Sequence, residues 1–143
     1  MAKIGYPGYN TVMDQLRLPF DHRADSAALR HRAGNALAGW QEPACVEDSL
    51  LVIAELVGNV IQHTGDGGEL TLTCRPDTVL IEVSDRSRAM PAPQRPDPRR
   101  IGGRGLLLVA AMSHAWGSEC TAAGKVVWAE VRRAEVGALS VSA

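Results

Sequence analysis

Only three cysteines, Cys45, Cys74 and Cys120, occur in the 143 residues, far apart and with no Cys-x-x-Cys. That excludes a zinc site or a disulfide framework, and the three are expected to be small core residues. The four histidines, His22, His31, His63 and His114, show no paired metal spacing. No apolar run approaches the roughly 20 residues needed to span a bilayer, and the N-terminus lacks a secretory h-region. With unpaired thiols as well, a reducing, cytoplasmic setting is expected. Charge of one sign is also missing: 15 Lys and Arg face 16 Asp and Glu, for a net charge of -1. A pI near 6.4 argues against nonspecific nucleic-acid binding through a basic surface. There is no Gly-x4-Gly-Lys-Ser/Thr phosphate loop, and Leu108 stands where a dinucleotide fingerprint begun at Gly103 and Gly105 needs its third glycine.

What is present fits one compact domain. The chain is 45% hydrophobic and 22% charged, enough to bury a sizeable core beneath a soluble surface. The pattern predicts a loose arm over 1–13, a domain over 14–133 and a disordered tail over 134–143. Within the domain, a strand over 15–20 precedes a helix over 25–39, with Asp25 or Ser26 as N-cap. Pro43 separates this helix from a second, over 44–64. Strands over 69–75 and 78–84 join at Pro76-Asp77 as a hairpin. A third helix runs to about Ala115, and strands near 117–122 and 125–133 close the domain. The segregation of helices from strands predicts an α+β two-layer sandwich, its sheet mixed but largely antiparallel, with about three helices on one face.

The most informative stretch is Glu55-Leu-Val-Gly-Asn59, which sets a carboxylate and a carboxamide one turn apart on the second helix. Val46, Leu50, Ile53, Ala54, Val57 and Ile61 make its apolar stripe, with Glu55, Asn59, Gln62 and His63 opposite. Asn59 and Gly58 are poor helix formers, Gly costing roughly 1 kcal/mol relative to Ala, so something besides propensity favours them. A solvated helix face remains the bland alternative. Asp85 ends the alternating segment Val79-Leu-Ile-Glu-Val-Ser84, where its carboxylate is able to accept a hydrogen bond from an exocyclic amine. An ordinary turn residue is equally compatible. Ile101-Gly-Gly-Arg-Gly-Leu106 opens the third helix; its glycines allow close backbone approach, and the helix N-terminus favours an anion. A plain loop gives the same glycines.

The ordered set is more specific than its parts. Glu-x-x-x-Asn on a helix, an Asp ending a strand, a Pro- and Arg-rich loop and Gly-Arg-Gly-Leu opening a helix together resemble the GHKL (Bergerat-fold) ATP-binding domain. Within it the likeness is to the small anti-sigma factor serine/threonine protein kinases and their actinobacterial relatives, over residues 16–133. Gly124-Lys-Val-Val-Trp-Ala-Glu-Val131 resembles the family's last strand, and Trp116-Gly117 the end of the third helix leading into the strand before it.

The resemblance implies a role for each position. Glu55 would be the general base, Asn59 would hold Mg2+ and so border the nucleotide, and Asp85 would read the adenine amine. Gly103, Arg104, Gly105 and Leu106 would line the phosphates of ATP, and the loop 86–102, with four of the eight prolines and five arginines, would be the lid. It further implies a homodimer that sequesters a sigma factor and phosphorylates an anti-sigma antagonist. There are departures from the family pattern. Ser87 and Ala89 replace the two glycines that usually follow the adenine-binding Asp, and Gly124-Lys125 replaces a Gly-Thr pair, losing a hydroxyl and adding a charge. A nucleotide-gated, nonenzymatic protein-binding switch is therefore the second reading. A sensor histidine kinase fragment or a larger gyrase- or chaperone-like ATPase fits less well, for want of a dimerisation segment or a second domain.

Overall fold

The computed structural model describes residues 12–21, 23, 26–64, 67–85, 101–122 and 124–134, with side chains at all of these except 63, 64, 101–106 and 121. Five strands and three helices follow in the order β1 (Asp14–Phe20), α1 (Ser26–Ala38), α2 (Pro43–Thr64), β2 (Gly68–Cys74), β3 (Thr78–Asp85), α3 (Ile101–Met112), β4 (Ala115–Thr121) and β5 (Gly124–Arg132). The expected arm and tail fall largely outside the described residues, as do Asp25 and the loop 86–100.

The strands form one sheet in the order β1-β2-β3-β5-β4, and every pairing is antiparallel. β3 and β4 run in the same direction, but β5 lies between them, so the anticipated mixed character produces no parallel ladder. Alternation places Leu16, Leu18, Leu70, Leu72, Val79, Ile81, Val83, Val127, Ala129 and Val131 on one face, where they meet the helices. Val52, Leu56 and Val60 of α2 join them fully buried, each such side chain contributing roughly 1.5–3 kcal/mol over exposure. α2 is the central helix, touching α1, α3, β3 and β5.

Four local expectations need correction. Pro43 is the first residue of α2 rather than a separator; its fixed φ and missing NH suit that position. α3 stops at Met112, so Trp116 and Gly117 belong to β4 and not to a helix end. The buried face of α2 is Ser49, Val52, Ile53, Leu56, Val57 and Val60, whereas Ala54 is exposed and Val46, Leu50 and Ile61 are only partly covered. Of the cysteines only Cys74 is buried; Cys45 is half-buried and Cys120 exposed. Burial raises the Cys74 thiol and the Cys45 thiol, in the latter case helped by Glu42 and Asp48, which disfavours their reactive thiolates.

One end of the sheet is tied by side chains to backbone. Arg133 donates from Nε to the Trp40 carbonyl at 2.8 Å and from Nη1 to those of Pro76 and Arg75 at 3.0 and 3.2 Å. Buried Gln41 donates to the Arg132 carbonyl at 3.0 Å and accepts from Ser49 Oγ at 2.9 Å. The α1–α2 turn, the β2–β3 turn and the end of β5 are thereby locked together. The start of α2 sits here, leaving its C-terminal half to extend along the strands toward the other end.

Candidate functional site

That other end is defined by strand register. Gly68 of β2 lies opposite Asp85 of β3, which in turn lies opposite Lys125 of β5. A Cβ on Gly68 would stand 1.9 Å from the Ser84 carbonyl oxygen, so the close approach of β2 to β3 beside Asp85 requires glycine. Asp85 and Lys125 continue the rows Val79-Ile81-Val83 and Val131-Ala129-Val127, so both side chains project to the helical side of the sheet. The Asp85 side chain is 1% exposed and that of Lys125 10%, with Nζ 3.7 Å from Oδ2. A buried carboxylate is costly unless compensated, and the ammonium on the neighbouring strand supplies the opposite charge.

α2 brings its polar pair to the same end. Glu55 and Asn59 are both half-buried, as is Asp48 two turns before Glu55, while Gln62 is exposed. The pair therefore borders the packed face instead of lying opposite it. Asn59 sits in the C-terminal part of α2, which ends at Thr64 shortly before Gly68 opens β2. What the fold fixes is the placement of Glu55 and Asn59 on the border of the packed face of α2.

α3 adds a third wall. It packs along α2 and delivers the chain at Met112 to the start of β4, beside Glu130, whose carbonyl accepts from His114 N at 2.7 Å. For a helix of this length its N-terminus lies about 18 Å from that point. Gly103, Arg104, Gly105 and Leu106 lie inside its first two turns, not ahead of it, and the last two residues of the expected lid, Ile101 and Gly102, are helical too. The first four backbone NH groups of a helix lack internal acceptors, here those of residues 101–104. The side chains of 101–106 and of His63, and residues 86–100 with Ser87 and Ala89, lie outside the described residues.

These elements offer a buried carboxylate with an ammonium beside it, a carboxamide one turn from a second carboxylate, and a helix N-terminus. These suit, in turn, an exocyclic amine, a hard cation and a phosphate. Among the described residues no three His, Cys, Asp or Glu side chains converge on one point; a cation here would be held by one carboxamide together with phosphate oxygens and water. Sequence reasoning noted Lys125 only as a departure and missed its pairing with Asp85, because the 39 intervening residues hide the β3–β5 register.

No helix among the described residues is long and apolar enough to cross a membrane. Comparison with curated proteins gives no match. A family model described as the histidine kinase-like ATPase domain matches residues 20–131, from the end of β1 through nearly all of β5. With that match across most of its length and an α+β sandwich to go with it, the chain belongs to the histidine kinase-like (GHKL-type) ATPase domain family, whose shared property is ATP binding.

Proposed function

We propose that this chain binds Mg-ATP at the Asp85 end of its sheet and acts as an anti-sigma factor-like serine/threonine protein kinase. The observation that carries the reading is the placement of Glu55 and Asn59 on the half-buried border of α2, together with buried Asp85 ending β3 and Gly103 to Leu106 in the first turns of α3. Asp85 accepts the adenine amine, Asn59 offers its side-chain oxygen to Mg2+, and residues 103–106 surround the phosphates. The metal, when bound, neutralises phosphate charge. Glu55 takes the proton from a serine or threonine hydroxyl of the antagonist protein, and backbone NH groups of α3 with Arg104 stabilise charge on the group in transfer. Positioning and electrostatics supply most of the rate in such chemistry. Sequestration of a sigma factor, an anti-sigma antagonist as substrate, a homodimer and a cytoplasmic setting complete the proposal, on the strength of the resemblance.

Calorimetric titration of Mg-ATP tests it. Wild type is expected to bind in the micromolar range and Asn59→Ala at least tenfold more weakly; equal affinities remove the metal role of Asn59. The second reading is a nonenzymatic switch in which nucleotide merely alters partner affinity, supported by the departures at Ser87, Ala89 and Lys125. Tight nucleotide binding without any phosphorylated antagonist would select that alternative.

A further inference from the structure

We infer that Lys125 is a base-reading residue that works as a dyad with Asp85, donating to the ring nitrogen next to the purine amine; this rests on the nucleotide site proposed above. The two side chains are direct cross-strand neighbours on the helical side of the sheet, and both are withdrawn from solvent. Their separation of 3.7 Å is well beyond the roughly 2.8 Å of a charge-assisted hydrogen bond. The ammonium is thus attracted by the carboxylate without a direct hydrogen bond to it, which leaves its donors for a further acceptor. Burying an ammonium in this way is expensive, and its charge is compensated by Asp85 alone among the described acidic residues.

The chemistry of the dyad selects its ligand. A carboxylate accepts and an ammonium only donates. A 6-aminopurine presents an amine donor flanked by ring-nitrogen acceptors, N1 on one side and N7 on the other, so donor and acceptor are both matched when the amine rests on Asp85. A 6-oxopurine in the same pose turns its carbonyl oxygen to the carboxylate. A serine or threonine at this strand position would present a neutral hydroxyl on a shorter arm, able to donate or accept and so less demanding. Asp85 thus selects the amine, and Lys125 adds a demand for an acceptor ring nitrogen beside it.

Calorimetry with ATP, 1-deaza-ATP, 7-deaza-ATP and GTP, on wild type and Lys125→Met, decides the matter. One of the two deaza analogues is expected to bind wild type about 10- to 100-fold more weakly than ATP, the worth of one charge-assisted hydrogen bond. In Lys125→Met, ATP should fall to the level of that analogue and the difference between them vanish. Deaza analogues that both bind wild type as tightly as ATP, a loss that survives in the variant, or GTP binding as tight as ATP would each overturn the inference. The wild-type arm needs no folded variant, and Lys125→Thr replaces Lys125→Met if the latter loses its circular dichroism melt. Failure of wild type to bind ATP at all brings down the nucleotide site itself, whereas tight ATP binding with no analogue effect brings down only the role of Lys125.

Discussion

Gly117 lies directly opposite Trp128 across β4 and β5, and a Cβ at Gly117 would stand 3.0 Å from the indole ring. Trp128 is fully buried, on the sheet face turned away from the helices, where Leu80 and Ala115 accompany it. The glycine is the space the ring occupies. Gly117→Ala should cost about 1–3 kcal/mol by overpacking, read as a lower urea midpoint at unchanged slope. Pairing it with Trp128→Phe should recover part of the loss, because the two positions are in contact and their effects are not additive.

The Arg133 guanidinium is the second point of sensitivity. Arg133→Ala removes donors from three carbonyls at the end of the sheet remote from the candidate site. A loss of about 1.5–3 kcal/mol is expected in chemical denaturation, with nucleotide affinity unchanged in whatever fraction remains folded. Lys at this position cannot reproduce the forked geometry and should recover little of it.

Stability should also respond to pH through Glu82. Desolvation raises its carboxyl above the usual glutamate range, so the native state holds this proton more tightly than the unfolded chain. Between the ordinary value and the raised native one, folded protein binds more protons, and this group's contribution to stability falls as pH rises. Glu82→Gln should therefore melt above wild type at neutral pH, and the gap should close as pH drops through that window. A gap independent of pH would assign the gain to something other than ionisation.

Glu55 and Asn59 should separate cleanly by readout. Glu55→Ala is expected to keep Mg-ATP affinity within about twofold and to lower phosphoryl transfer by 10²–10⁴, the usual worth of a positioned general base. Asn59→Ala should weaken Mg-ATP binding yet affect metal-free nucleotide much less. Full transfer activity in Glu55→Ala would exclude it as the base.

The segments that the sequence made legible are those governed by local pattern. Alternation in Val79-Leu-Ile-Glu-Val-Ser84 found β3, the i, i+4 spacing of Glu55 and Asn59 found their shared helix face, and Pro76-Asp77 found the hairpin. What was missed depends on tertiary context. The burial of Val52, Leu56 and Val60, and the exposure of Ala54, follow from α2 being covered by α1, α3 and the sheet at once, which a single apolar stripe does not convey. The Asp85–Lys125 pair and the Gln41–Ser49 bond join segments whose adjacency is set by strand order and helix packing. Gly103 to Leu106 were located on a helix but their side-chain geometry is outside the described residues.

The sheet order carries a consequence for synthesis. β4 has β5 as its only strand neighbour among the described residues, yet β5 is made after it. While the chain is still emerging from the ribosome, β3 and β4 each hold an unsatisfied edge that awaits the same late segment. Lys125 arrives on that segment as well, so in a nascent chain the buried Asp85 carboxylate meets its countercharge only in the step that closes the sheet.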